Sequence, residues 1–192
     1  AYNSIRNEFN RDLLIKWEEG KTGIPIIDAC MRCLNETGYL NFRMRAMIVS
    51  FAAFNLWQNW KNFSHFLARK FLDYEPGIHY SQIQMQSAVT GINTVRIYNP
   101  IKNSVLLDPD GQFIKKWVSE LKFIPKEYIH EPWKMTKIEQ EMYNFSINEN
   151  YFSPIIDIEE SRRSASGKIW KIRKGSKSRI DAKKIIKKHI NN

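Results

Sequence analysis

Two arginines and two carboxylates are the residues whose types and spacing most directly suggest chemistry. Arg43 and Arg45 lie in the most hydrophobic segment of the chain, where a charge is costly unless it is paired or faces a ligand. Asp73 and Glu75 follow at the end of the next predicted helix. Two interpretations stay open. In the first, the residues form a buried Arg–Asp pair that only stabilises the fold. In the second, they form the polar wall of a ligand cavity, where the arginine fixes an acceptor edge and the carboxylates accept from ring N–H or ribose hydroxyl groups.

The stretch 71–100 carries these carboxylates together with a single histidine, His79, and three glutamines. About 20 of its residues show neither clean helical nor clean strand periodicity, so we predict a long loop within it, and such loops in compact domains are usually functional. His79 alone is more often a satisfied structural histidine than a catalytic one. The six tryptophans, among them Trp57 and Trp60, are ordinary core residues or a path for electrons beside a redox cofactor.

The two cysteines, Cys30 and Cys33, form a C-x-x-C motif, which is typical of redox and zinc sites. Here the motif lies inside an apolar helical pattern and has no second Cys/His pair at metal spacing. We therefore predict buried structural cysteines and no metal site. The absence of predicted disulfides fits a reducing cytoplasm.

Length and composition favour one folded domain. The 192 residues are 43% hydrophobic and 13% aromatic, which argues against disorder. No apolar run approaches the ~18 residues that a membrane span needs. We expect one helical domain over residues 1–192, soluble and cytoplasmic, with no membrane partner.

The net charge of +10 is concentrated at one end of the chain. Residues 161–192 hold twelve Lys and Arg against one acid, Asp181. Such asymmetry indicates a polyanionic partner, most simply DNA, or else a solvated helical face that aids solubility.

Helical patterns account for most of the chain, so the predicted fold class is all-α, a multi-helical bundle. Apolar periodicity and start and stop signals predict helices over 22–38, 41–60, 62–73 and 111–121. Further helices are predicted after Thr136, after Asp157 and from Ser178, and the last two form the basic C-terminal region 161–192. Thr22 and Asp110 are predicted caps. Thr136 with Glu139 has the spacing of a capping box, and Asp157 with Glu160 has the same spacing.

Four segments of the sequence carry a resemblance to a known family. They are "WEEGKTGIPIIDACMRCLNETGYLNFRMRAMIVSF", "LDYEP", "RIYNP" and "DPDGQFIKKWVSEL", in that order over roughly residues 15–135. Together they resemble the C-terminal half of the flavin-binding helical domain of the DNA photolyase/cryptochrome family. The "GIHYSQIQMQ" pattern is similar to a bacterial cryptochrome-like subgroup.

The resemblance implies FAD as cofactor and light-dependent electron transfer in DNA repair or blue-light signalling. It implies that Arg45 faces the flavin and pairs with Asp73, and that Tyr74 and Glu75 line the ring edge or ribose. It places His79 opposite the flavin N5, where a histidine that donates a hydrogen bond would tune the redox state. Trp60 matches the middle tryptophan of the electron-transfer chain.

The resemblance also implies a nucleic-acid contact at Phe42, Arg43 and Asn103, with departures from the family pattern. Ile83 stands where the proximal tryptophan is expected, and Met85 where an aromatic holds the lesion. Phe42 replaces the asparagine beside the lesion. These departures predict little cyclobutane-dimer repair and favour a cryptochrome-like role.

The family's antenna domain and diphosphate loop have no counterpart in this sequence. A second chain that completes the flavin site is therefore one expected partner. The alternatives are a helical nucleic-acid-binding module without catalysis and a truncated relative without flavin.

Overall fold

A computed structural model of the protein describes residues 5–7, 9–90 and 94–175. Within these ranges the chain forms helices and turns, and the only β-type pairing is an isolated bridge between Ile147 and Tyr151. The helices of the described residues are α1 Arg11–Glu18, α2 Pro25–Thr37, α3 Phe42–Ser50, α4 Trp60–Lys70, α5 Pro76–Gln86, α6 Pro100–Leu107, α7 Gln112–Trp117, α8 Lys137–Met142 and α9 Ile158–Lys174. Short 3-10 turns lie at Ser119–Leu121 and Pro132–Lys134. The predicted all-α fold class is confirmed.

Helix α2 is the centre of the fold and contacts α1, α3, α6 and α7. Its start is set by Pro25 in the first turn, and its end by Gly38, whose φ of 68° is the left-handed conformation that glycine adopts most easily. Cys30 and Cys33 lie buried in this helix as free thiols, as predicted.

Asp28 on α2 is a fully buried carboxylate that accepts four hydrogen bonds. The donors are the backbone N–H groups of Thr22 and Gly23, at 2.7 and 3.0 Å, and the hydroxyls of Thr22 and Tyr151, at 2.6 and 2.5 Å. Burial raises the pKa of Asp28 to about 6, although the hydrogen bonds from Thr22 and Tyr151 act in the opposite direction. The predicted cap at Thr22 is wrong, because its hydroxyl donates to the Asp28 carboxylate and the N-cap residue is Ile24.

The predicted single helix over 41–60 is wrong in its second half. Helix α3 passes directly into a π-helical turn, Phe51–Asn55, and the helix then ends before Trp57, whose φ is 54°. The segment 46–56 is buried throughout, so its sequence has no polar face to mark where the helical pitch changes. π-Helical turns are frequent next to functional sites.

The predicted loop over 71–100 is also wrong in its first half, where α5 lies. Glu75 caps this helix by accepting from the Ile78 N–H at 2.7 Å, and Pro76 occupies its first turn. Inward-facing polar residues hide the helical periodicity of α5.

Two of the three remaining predicted caps are confirmed. Thr136 and Glu139 form the capping box of α8, and Asp157 caps α9 by accepting from the Glu160 N–H at 2.7 Å. The cap predicted at Asp110 is wrong, because the carboxylate of Asp108 accepts from the N–H groups at the start of α7. The helix predicted from Ser178 lies outside the described residues. Among the described helices, none has both the length and the apolar character to cross a membrane.

Candidate functional site

A pocket of about 280 Å³ opens between α3, α5 and the end of α4. One face of α3 supplies four of its residues at spacing i, i+3, i+4 and i+7: Phe42, Arg45, Ala46 and Val49. The other lining residues are Leu67, Phe71, Asp73, Tyr74, Glu75, Ile78, His79, Gln82, Ile83 and Gln86. This volume is at the lower end for ligand pockets, so it suits one ring system rather than a whole dinucleotide.

Arg45 and Asp73 form a bidentate ion pair in the pocket wall. Nη1 and Nη2 of the guanidinium donate to the two carboxylate oxygens at 3.0 and 2.9 Å, and Nε donates to the Leu40 carbonyl at 2.6 Å. The guanidinium also lies 4.3 Å from the centroid of Phe71. Hydrogen bonding from Arg45 lowers the pKa of Asp73.

The exposure of this pair bears on the two interpretations of its charges. The Arg45 side chain is 25% exposed and that of Asp73 is 56% exposed. Arg45 and Asp73 pair as predicted, but the pair is not buried. The arginine is held rigidly at the wall of an open pocket, where it can orient a ligand edge.

Capping interactions position both helices of the pocket. Asn41 accepts from the Met44 N–H at 3.0 Å and so fixes the start of α3, three residues before Arg45 in the helix. The Glu75 carboxylate fixes the start of α5. The Gly38 carbonyl accepts from the Leu72 N–H at 3.1 Å, which ties the residue before Asp73 to the end of α2.

His79 is buried in the pocket wall and is bonded through one ring nitrogen. Its Nε2 lies 2.9 Å from the carbonyl oxygen of Ser64. Because a carbonyl can only accept, Nε2 carries the proton, and the other nitrogen of the neutral ring offers a lone pair. Burial lowers the pKa of His79, so the neutral form dominates at neutral pH. The neutral ring can then accept a hydrogen bond at Nδ1, and the predicted donation from this nitrogen would require the imidazolium.

Gln82 provides a second acceptor one turn further along α5. Its Oε1 is buried and finds no hydrogen-bond partner among the described residues. A buried acceptor without a partner costs about 1–3 kcal/mol, a cost that a ligand N–H or O–H removes. Gln86 lines the pocket one turn beyond Gln82.

Trp60 lies outside the pocket lining and contacts it through Tyr80. Trp60 and Tyr80 are in edge contact, with ring centroids 6.5 Å apart, and Tyr80 is 5.1 Å from the ring of His79. Trp57 has a different environment, since the guanidinium of Arg6 and the ammonium of Lys168 lie over its ring at 4.8 and 4.4 Å.

The three residues predicted to contact nucleic acid are not all part of the pocket lining. Phe42 is 60% exposed and lines the pocket, and its neighbour Arg43 is also exposed. Asn103 lies on α6, where its amide donates to the Asn99 carbonyl at 2.9 Å, and it is absent from the pocket lining. Of the two departures at the expected aromatic positions, Ile83 is buried in the pocket wall and Met85 is not part of it.

The basic C-terminal region is described as far as residue 175. Within that part, α9 carries six cations: Arg162, Arg163, Lys168, Lys171, Arg173 and Lys174. Arg162 pairs with Glu159 at 2.8 Å. In the described ranges, no group of three or more His, Cys, Asp or Glu side chains is arranged to hold a metal ion.

A helical fold and a pocket with a fixed arginine–carboxylate pair define a cofactor-binding helical domain. Residues 1–171 match the family model described as the FAD binding domain of DNA photolyase. The chain belongs to this family, and the predicted cofactor, FAD, is that of the family.

Individual relatives agree with this assignment. The chain is 35% identical over 168 residues to a deoxyribodipyrimidine photo-lyase of Alkalihalophilus pseudofirmus, a match that covers 86% of this chain and 35% of the relative. It is 30% identical over 155 residues to a cryptochrome DASH of Natronomonas pharaonis, covering 81% and 33%. The crystal structure of an archaeal photolyase from Sulfolobus tokodaii, with two FAD molecules, is 35% identical with a TM-score of 0.78, covering 88% of this chain and 37% of that one. The chain thus spans about a third of the length of these relatives.

Sequence reasoning did not identify most of the apolar residues that line the pocket, nor Gln82 and Gln86. The signals were present as spacing: Arg45 with Phe42, Ala46 and Val49 on α3, and His79 with Gln82, Ile83 and Gln86 on α5. The second set was not recognised because α5 was not predicted as a helix.

Proposed function

We propose that this chain forms the ring-binding wall of an FAD cavity, in the C-terminal half of a photolyase-type flavin domain, and that it supports light-driven one-electron transfer. The observation that carries the proposal is the open pocket beside the rigid Arg45–Asp73 pair. FAD supplies one-electron chemistry when it is bound; the residues bind, orient and tune it.

The pocket residues fit a flat ring with polar atoms along one edge. Ala46, Val49, Leu67 and Ile83 provide apolar walls for the body of the ring. The unpaired Oε1 of Gln82 and the lone pair of His79 suit N–H or O–H donors on the ligand. The guanidinium of Arg45 suits an acceptor atom. These groups together favour a heterocycle that carries both donors and acceptors.

The same lining does not suit a diphosphate, so we propose that a second polypeptide segment completes the site. Asp73 and Glu75 add negative charge to the pocket, and Arg45 is already paired. A diphosphate needs cations or free backbone N–H groups, which must then come from outside this lining.

Flavin titration tests this proposal. We expect the purified chain to quench FAD fluorescence and to retain flavin absorption after desalting. We expect tighter binding after addition of the unmatched remainder of the Alkalihalophilus pseudofirmus relative. An Arg45→Met variant should weaken binding, whereas an exposed Arg11→Met variant should not. Absence of flavin uptake in both preparations would overturn the proposal and leave the truncated relative without flavin as the interpretation.

Between repair and signalling, we favour a cryptochrome-like role. Phe42, which lines the pocket, stands where the resemblance to the family places an asparagine beside the lesion, and Met85 replaces an aromatic residue. We expect little light-dependent repair of cyclobutane dimers in single- or double-stranded DNA. Efficient repair by the FAD-loaded protein would reverse this preference.

Nucleic-acid binding is the second candidate function, favoured by the cations of α9. Of these, Arg163, Lys168, Lys171, Arg173 and Lys174 lie on exposed positions. Phosphate contacts from such residues give affinity that falls steeply with salt. Binding of duplex DNA that does not weaken with salt would argue against this function.

A further inference from the structure

Tyr80 lies at the centre of a cluster of aromatic rings between the pocket and Trp60. Its ring centroid is 5.1 Å from His79, 6.4 Å from Tyr74, 5.9 Å from His65 and 6.5 Å from Trp60. Tyr74 and His79 line the pocket. Tyr80 therefore links the pocket wall to Trp60 through ring contacts alone.

The hydroxyl of Tyr80 is hydrogen-bonded to a base. Its oxygen lies 3.2 Å from Nδ1 of His65. A phenol O–H is a hydrogen-bond donor and the unprotonated nitrogen of a neutral imidazole is an acceptor, so the pair is arranged for the hydroxyl to donate to Nδ1. His65 is exposed, so water can solvate the imidazolium and exchange its proton.

We propose that Tyr80 is a redox-active tyrosine whose proton acceptor is His65. When a one-electron oxidant occupies the pocket, Tyr80 loses one electron to it, and the oxidant is reduced by one electron. The Oη–H bond of Tyr80 breaks and the proton bonds to Nδ1 of His65. The products are a neutral tyrosyl radical and an imidazolium. That the natural oxidant is a photoexcited flavin rests on the proposed function.

The neighbouring side chains explain why this role falls to Tyr80. Ile83, in the pocket wall, is aliphatic and carries no electron hole. Trp57 lies under the cations of Arg6 and Lys168, which disfavour a further positive charge on its ring. Tyr80 avoids that cost because it sheds its positive charge as a proton.

A tethered photo-oxidant tests the proposal without any flavin. Ile78 lines the pocket and is 64% exposed, so an Ile78→Cys variant can be labelled with a ruthenium polypyridyl maleimide while the buried Cys30 and Cys33 stay unlabelled. A flash with an external electron acceptor then generates an oxidant at the pocket mouth. We expect a tyrosyl radical in electron paramagnetic resonance and transient absorption.

Variants identify the radical and its base. In the labelled Ile78→Cys protein, Tyr80→Phe should abolish the tyrosyl signal. Tyr143→Phe, at an exposed position directly after α8, should leave the signal unchanged. His65→Gln should slow radical formation by roughly 100-fold, the lower end of what a positioned proton acceptor contributes, and should remove the solvent deuterium isotope effect. A full signal in Tyr80→Phe, or loss of the signal in Tyr74→Phe alone, would overturn the assignment to Tyr80. An unchanged rate in His65→Gln would overturn the assignment of the base.

Flavin uptake separates this inference from the proposed function. If the chain takes up no FAD, the proposed function fails, yet the ruthenium experiment still decides the role of Tyr80. If FAD binds, flash photolysis of the loaded protein should show the same dependence on Tyr80 and His65, while FAD affinity changes little in both variants.

Discussion

The hydroxyl of Tyr151 donates a hydrogen bond to the carboxylate of Asp28 at 2.5 Å, across 123 residues of sequence. Thr22 and Gly23 donate to the same carboxylate, so one buried group joins the turn before α2, α2 itself and the segment that precedes α9. Because α2 also contacts α3, this buried group supports the helix that carries Arg45.

Replacement of Tyr151 by phenylalanine should destabilise the protein without affecting the pocket directly. A hydrogen bond to a charged group contributes about 1.5–3 kcal/mol, and we expect a loss of that size in the free energy of unfolding, measured by urea denaturation. Tyr143→Phe, at an exposed position, is the matched control and should change the free energy of unfolding little. Equal effects of the two variants would show that Asp28 does not depend on Tyr151.

The stability of the protein should depend on pH through Asp28. Its pKa rises from 3.8 to about 6 on folding, so between these values the folded chain binds a proton that the unfolded chain releases. The contribution of this carboxyl is therefore fully present below about pH 4 and is lost as the pH rises through about 6. The difference in free energy of unfolding between the wild type and Asp28→Asn should fall by roughly 3 kcal/mol from about pH 4 to about pH 7. A difference that is constant over this range would contradict the raised pKa.

Removal of the Asp73 carboxylate should affect ligand binding more than stability. Because Asp73 is 56% exposed, the ion pair with Arg45 adds at most about 1 kcal/mol to the free energy of unfolding. In Asp73→Asn the guanidinium loses its bidentate partner, and we expect FAD affinity to fall about tenfold, equivalent to about 1.4 kcal/mol. Fluorescence titration measures the affinity, and Glu141→Gln serves as an exposed control. A large loss of stability with unchanged affinity would return the pair to a structural role.

The salt dependence of DNA binding should report on α9. Each phosphate contact contributes roughly −0.9 to the slope of log K against log salt, so the combined Lys168→Gln, Lys171→Gln and Lys174→Gln variant should lower the slope by up to about 3. The combined Lys116→Gln, Lys122→Gln and Lys126→Gln variant removes the same charge from exposed positions outside α9. An equal decrease of the salt-dependence slope in both variants would indicate non-specific electrostatic attraction rather than a DNA-binding face on α9.

Helices were predicted well where the buried positions are the apolar positions of the helical repeat. They were missed where polar residues occupy the inward-facing positions. Helix α2 has an apolar pattern bounded by Pro25 and Gly38, and it was predicted with an error only in the cap. Helix α5 was missed because polar and apolar residues share its pocket-facing side. His79 and Gln82 line the pocket together with Ile78, which is 64% exposed, so the usual pattern of apolar inside and polar outside is absent.

A charge in an apolar helix demands a partner, which made Asp73 and Glu75 candidates for Arg43 and Arg45. The specific pairing of Arg45 with Asp73 was implied by the resemblance to the family. The hydrogen bond that fixes the tautomer of His79 was not predictable, since it depends on the Ser64 carbonyl 15 residues away in the chain. The same holds for Tyr80 and His65, which are brought together by the packing of α5 on α4. Such tertiary contacts have no signature in the spacing of residues.

Gly38 does not line the pocket, but substitutions at this position should still impair the site. A Cβ atom at this position would lie 2.5 Å from Cγ of Leu72 and 3.0 Å from the Lys70 carbonyl oxygen, and the φ of 68° would strain any other residue. Leu72 immediately precedes Asp73, so a displaced Leu72 moves the carboxylate away from Arg45. In a saturation mutagenesis screen scored by cofactor retention, substitutions at Gly38 should cluster with those at Arg45 and Asp73, although Gly38 itself is absent from the pocket lining.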